Sequence, residues 1–206
     1  MFINKKFDLE NGMVCYNPVD SHELIKYKKE YQIQDKLKIC CVGRLEDQKG
    51  FDRLIKILGK LRLKNYVVDI YGTGTMKDEL DDMIRKYGLE EYVHLKGFHK
   101  NIYEAMSNYH LLISPSRAEG FSLVVAEAMC MGIPVLSTDC AGPNELTDYG
   151  KYGILVENSD EALENAIQNI FEKKEALYKY HKLSEERSNI FKIENVMKEV
   201  EGNIYE

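Results

Sequence analysis

Positive charge is not in excess in this chain: 28 Lys and Arg stand against 34 Asp and Glu, a formal net charge of −6 over 206 residues. A general surface for nucleic acid or anionic membrane needs a basic surplus, so this balance excludes both, though not a small local anion site. Cysteine is sparse and without spacing. None of Cys15, Cys40, Cys41, Cys130 and Cys140 forms a Cys-x-x-Cys pair, and Cys40-Cys41 lies inside the apolar run Ile39-Cys40-Cys41-Val42. Such a set reads as reduced thiols used as small hydrophobes, which implies a cytoplasmic protein. The N-terminus lacks the charged start, apolar middle and small-residue end of a signal peptide. The longest apolar stretch, residues 121–136, is interrupted by Glu127, Gly132 and Pro134 and falls short of the ~20 residues that span a bilayer, so a soluble chain is expected. Internal repeats and low-complexity blocks are absent as well.

What is present is length for one sizeable domain, since two enzyme lobes of roughly 100–150 residues each do not fit comfortably. After a polar, Lys/Tyr-rich opening with one apolar island (Met13-Val14-Cys15-Tyr16), apolar runs of strand length alternate with helical periodicity. Strands are expected over 37–43, 66–71, 92–95, 110–113, 134–137 and 153–156. Helices are expected over 51–61, 76–87, 102–106, 121–131 and 161–180, with a helical turn at 144–146 and a final helix at 194–200. Six short apolar strands alternating with helices imply an α/β fold, a doubly wound, Rossmann-like parallel six-stranded sheet with helices on both faces. Ligands of such sheets sit at the carboxyl ends of the strands, which singles out the loops that begin at Gly43, Tyr71, Lys96, Ser114 and Ser137.

Two of these loops carry chemistry. Gly43-Arg44-Leu45-Glu46-Asp47-Gln48-Lys49-Gly50 puts an Arg and a Lys in a strand-to-helix turn, where they can converge on an anion; a solvated charged loop has the same composition. Ser114-Pro115-Ser116-Arg117-Ala118-Glu119-Gly120-Phe121-Ser122 leads into a helix apolar nearly all round and therefore buried. Its first turn has free N–H groups, and a diphosphate there would satisfy them and gain from the helix dipole. Glu127 on that helix is a buried carboxylate that needs a hydrogen-bonding partner: a protein N–H, a Lys, or a pair of sugar hydroxyls. Eight residues of helix would set Glu119 and Glu127 roughly 12 Å apart. That exceeds the ~5–9.5 Å of glycosidase carboxylate pairs, so they are expected to grip opposite ends of an elongated ligand rather than act on one bond.

Val42-Gly43-Arg44-Leu45 with Lys49-Gly50, Glu119-Gly120-Phe121-Ser122 with Glu127-Ala128, and Gly132-Ile133-Pro134-Val135 together resemble the group 1 (family 4) glycosyltransferases. Tyr71-Gly72-Thr73-Gly74, Leu95-Lys96-Gly97-Phe98, Gly142-Pro143-Asn144-Glu145-Leu146 and Tyr152-Gly153-Ile154-Leu155-Val156 fit the same family, from about residue 16 to residue 156. The resemblance implies the C-terminal, donor-binding lobe of a retaining GT-B enzyme, one that uses no cofactor and no metal. Carried over by residue, Gly43, Arg44 and Lys49 contact the diphosphate with the backbone of Gly120, Phe121, Ser122 and Leu123. Glu127 holds the ribose hydroxyls, Glu119 is the catalytic carboxylate facing the transferred sugar, and Gly97 and Phe98, followed by His99, border the base. Two cations and a helix start would then stand in for the metal ion that other enzymes place on a leaving diphosphate.

On this reading residues 1–35 are a linker from an absent N-terminal lobe, 36–182 the nucleotide-sugar lobe and 183–206 a helical return toward the missing part. The donor is taken as a UDP-sugar, which is the common case, and the work as polysaccharide or glycoconjugate assembly. The carbohydrate or lipid-linked acceptor, and any peripheral membrane contact, would come through the other lobe or a partner chain. The chain alone is expected to be inactive. The alternatives are a non-catalytic nucleotide-sugar-binding subunit of a two-polypeptide transferase, and a related GT-B epimerase. Gly72-Thr73-Gly74 starts like a dinucleotide loop, but position 77 is Lys, and Leu95-Lys96 offers no acid for a nicotinamide ribose. Asp81-Asp82 reads as a solvated helix face, and the five histidines lack zinc-ligand spacing.

Overall fold

The computed structural model describes residues 16–33 and 35–204. Met13, Val14 and Cys15 of the apolar island lie outside the described residues, and its last residue, Tyr16, lies inside them. Six strands, β1 (Leu37–Val42), β2 (Tyr66–Tyr71), β3 (Val93–Gly97), β4 (Leu111–Ser114), β5 (Val135–Thr138) and β6 (Ile154–Val156), form one parallel sheet in the order β3-β2-β1-β4-β5-β6. The order reverses between β1 and β4, so the crevice of a doubly wound sheet opens above those two strands.

Alternation along β1 explains the double winding. Ile39 and Cys41 point into a core covered by α2 (Phe51–Leu61), α3 (Lys77–Tyr87) and α7 (Asp160–Glu172); Cys40 points into the opposite core. That second core lies under α4 (Ile102–Met106), α5 (Leu123–Cys130), α6 (Ala141–Leu146) and the 3-10 turn Ser188–Phe191. Neighbouring thiols thus serve opposite faces, and burial pushes both far above the usual thiol range, as inert hydrophobes require.

Flanking segments pack on this body. α1 (Ser21–Ile25) starts where Asp20 accepts from Glu23 N–H at 3.0 Å, and Leu24 and Val19 are buried against the second core. The Asp-x-x-Glu pattern is a helix-start signal that periodicity alone passes over, because five residues hold too few apolar positions. The helix expected over 161–180 divides into α7 and α8 (Ala176–Arg187) at Lys173–Lys174–Glu175. A straight 20-residue rod would span about 30 Å; across the break Leu163, Ile167 and Ile170 of α7 and Leu177 of α8 share the first core, and Leu183 further along α8 packs against the second. α9 (Ile193–Ile204) closes the described chain.

Candidate functional site

Close backbone approach at the carboxyl ends of the strands builds a common floor. A Cβ on Gly72, whose φ is +143°, would lie 1.8 Å from the Gly43 carbonyl oxygen, and one on Gly74 would lie 2.4 Å from that of Leu45. The loops after β1 and β2 therefore touch main chain to main chain, and Glu46 ties them by accepting from Thr75 Oγ1 (2.8 Å) and N–H (3.2 Å). Glycine is needed again at Gly50, whose Cβ would strike the Pro115 carbonyl at 2.1 Å, and at Gly142, which passes the Gly120 carbonyl at 2.0 Å. The phosphate-loop candidate, the loop after β4 and the start of α6 are thereby drawn to one place.

Arg117 clamps the first two. Its guanidinium forks onto Asp52 at 2.7 and 2.8 Å and donates to the Asp47 carbonyl at 2.7 Å, while Gln48 donates to the Ala118 carbonyl at 2.8 Å. Burial pushes the Asp52 carboxyl upward, but the guanidinium outweighs it and holds the group below the usual range. Asn158 donates to the Arg117 carbonyl at 2.8 Å and accepts from Arg53, adding the start of α7 to the same frame. Sequence reading missed this clamp, since nothing in the spacing of Asp52 and Arg117 announces a contact across 65 residues.

Inside that frame Lys49 and Glu119 form an ion pair, the carboxylate 8% exposed and assisted by Ser116 Oγ at 3.3 Å. Arg44 is exposed, with no hydrogen bond or ion pair among the described residues. α5 begins at Leu123, two residues later than expected, and Phe121 and Ser122 precede it as non-helical chain. Leu123 is 49% exposed, which corrects the expectation of a buried helix start: the inner face (Val125, Ala126, Met129) is in the core, but the first turn opens on the crevice. Ser122 Oγ at that start is buried without a partner. Because residues 119–122 are not helical, helical rise does not set the Glu119–Glu127 separation; the two carboxylates have different partners, Lys49 for Glu119 and Tyr103 for Glu127.

The Glu127 carboxylate accepts from the Tyr103 hydroxyl at 2.9 Å, its only side-chain hydrogen bond among the described residues. Burial raises its pKa above the usual carboxylate range, and the phenol only partly offsets that. Gly97, at φ +69°, turns the chain out of β3 and Phe98 after it is 80% exposed; Tyr71 meets His99 edge-to-face at 5.7 Å. The other histidines have structural partners. His22 pairs with Glu194, His94 with Asp69, His110 accepts from Lys38 N–H, and His181 bonds the Gly132 carbonyl. Among the described residues no group of three or more His, Cys, Asp and Glu could hold a metal ion. No described helix is long and apolar enough to cross a membrane. A cleft of about 790 Å³ lies at the opposite, amino end of the strands, beside Lys36, Lys64 and Tyr66, so size alone would misplace the site.

The sequence profile described as "Glycosyl transferases group 1" matches residues 24–188. A Streptococcus gordonii protein named UDP-N-acetylglucosamine–peptide N-acetylglucosaminyltransferase GtfA subunit is 31% identical over 160 residues, 76% of this chain and 31% of its own length. This chain therefore spans about a third of that relative. The crystal structure of Anabaena Alr3699/HepE in complex with UDP superposes with a TM-score of 0.83 at 23% identity, covering 99% of this chain and 60% of the other. The C-terminal domain of a group 1 family protein, LpcC, from Francisella tularensis matches over 85% of this chain and 99% of its own at TM-score 0.74 and 22% identity.

Proposed function

The chain belongs to the glycosyl transferases of group 1 and has the fold of their C-terminal lobe, and from that premise we propose that it binds the nucleotide-diphosphate-sugar donor of a retaining transfer in polysaccharide or glycoconjugate assembly. The Lys49–Glu119 pair carries the reading. A donor joins its diphosphate to its sugar at one bond, and here the cation suited to the first stands against the carboxylate suited to the second. On binding, Lys49 exchanges Glu119 for phosphate oxygens, assisted by the unpartnered Arg44, the main chain from Gly120 to Leu123 and the start of α5. Glu119 is then free to accept from a hydroxyl of the sugar, and Glu127 accepts from the ribose. When the bond from the anomeric carbon to the phosphate oxygen breaks, the electron pair stays on the phosphate, and that growing charge meets Lys49, Arg44 and the helix start. Gly97 and Phe98 border the base. The donor is UDP-linked and bound without a metal ion.

Calorimetric titration with UDP tests this. Wild type binds weakly and equally well in EDTA; nucleotide binding that EDTA abolishes and Mg²⁺ restores overturns the metal-free reading. Glu127→Gln lowers UDP affinity about tenfold, a loss of about 1–2 kcal/mol as charge-assisted bonds become neutral. Glu119→Gln leaves UDP affinity equal or slightly higher, because Lys49 no longer has to leave a charged partner. Equal weakening by both substitutions would mean that Glu119 serves the loop and not the sugar.

A further inference from the structure

The phenol that meets Glu127 comes from outside the strand-end loops. Tyr103 sits on α4, a five-residue helix packed beside α5, and that helix is fixed at its start. Asn101 caps it by accepting from Glu104 N–H at 3.3 Å, while its amide nitrogen donates to the Tyr27 hydroxyl at 3.1 Å and the Glu104 carboxylate at 3.0 Å. At the other end Ala105 and Met106 are buried in the second core, against which the Tyr103 ring also packs. Burial, and then the charge of Glu127, push the Tyr103 hydroxyl up to about 12, so it is a protonated donor wherever Glu127 is ionised.

A carboxylate offers about four acceptor positions on two oxygens, and Tyr103 takes one of them, on Oε1. Oε2 has no protein partner among the described residues. We propose that Tyr103 is a positioning residue for the donor: its hydroxyl holds the Glu127 carboxylate at one setting of its terminal torsion, leaving Oε2 and the second lone pair of Oε1 for the two adjacent hydroxyls of a ribose. This rests on the reading of Glu127 as the ribose partner. The terminal torsion of Glu is broad when nothing holds it, and a vicinal diol matches both carboxylate oxygens in one orientation only. Fixing that orientation beforehand removes an ordering cost from binding.

The experiment titrates UDP and 2′,3′-dideoxyuridine diphosphate into wild type, Tyr103→Phe, Glu127→Gln and the double variant. Tyr103→Phe keeps the ring and lowers UDP affinity roughly three- to tenfold, with the dideoxy nucleotide unchanged within about twofold. In the Glu127→Gln background the same change has no further effect on UDP, because a residue acting only through Glu127 is silent once that carboxylate is gone. A Tyr103→Phe loss equal for both nucleotides, or one that persists beside Glu127→Gln, overturns the proposal and makes the contact merely structural. The two-ligand comparison is internal to each variant, so partial unfolding lowers both affinities together and does not imitate the expected result. If Glu127→Gln keeps the wild-type preference for UDP over the dideoxy form, or wild type binds neither, the ribose assignment of Glu127 falls and the inference with it. If Glu127→Gln loses that preference while Tyr103→Phe keeps it, only the role of Tyr103 falls.

Discussion

A carboxylate flanked by Ala126 and Ala128 on a helix with one face in the core is costly to ionise, and the raised pKa of Glu127 records that. The sign follows from proton binding. Between the ordinary carboxylate value and the raised one, the folded chain holds a proton that the unfolded chain has released, so stability falls as pH rises through that window. Glu127→Gln has no such proton. The variant should match wild type in acid and become progressively more stable than it toward neutral pH, read as thermal midpoints from about pH 4 to about pH 8. An advantage that does not grow with pH would mean that Glu127 has no raised pKa in the fold. Its expected loss of UDP affinity at neutral pH makes the residue a stability cost retained for binding.

Elements meet at this site through glycine, but not every glycine of these loops is a close approach. Gly72→Ala places a methyl 1.8 Å from the Gly43 carbonyl oxygen at a φ of +143°, so overpacking and backbone strain add. It should cost about 2–4 kcal/mol in denaturant unfolding. Gly120 has nothing within 4 Å of its Cβ position, so Gly120→Ala should change stability by less than about 0.5 kcal/mol. That same open position lies on the loop proposed to meet the diphosphate, and the added methyl should weaken UDP. Comparing the pair separates a glycine that shapes the floor from one that leaves room above it. A Gly120→Ala variant that loses stability as Gly72→Ala does would show that the 119–122 segment is packed and not open to a ligand.

At the scale of the molecule, the described residues form one sheet with one crevice, and the chain spans about a third of the Streptococcus relative's length. On the proposed reading the described residues supply the donor wall, and a single wall does not exclude water from the reacting carbon or position an acceptor. These 206 residues are expected to bind UDP and to release none from a UDP-sugar in the presence of acceptors. Turnover should appear only when an acceptor lobe is supplied, from the same polypeptide or from another. Transfer by this chain alone would overturn the one-wall reading.

Element types, layers and candidate residues were within reach of the sequence because they depend on local pattern. Apolar runs of strand length alternate with 3.6-residue periodicity, Gly43 and Ser114 close strands that do end beside them, and Arg44, Lys49, Glu119 and Glu127 stand out as charges beside apolar helices. Periodicity is a nearest-neighbour property of the chain and survives without the fold. Which charge meets which is not. That Lys49 lies on Glu119, that Arg117 forks onto Asp52, and that Tyr103 of α4 reaches Glu127 depend on sheet order and on glycine-to-carbonyl approaches between loops far apart in sequence. The same holds for the turn at residues 173–175, where no Gly or Pro marks an end and Leu177 beyond the turn returns to the core that Leu163, Ile167 and Ile170 fill. Contacts across 24 to 70 residues are set by where the strands pair, and only the tertiary structure decides that.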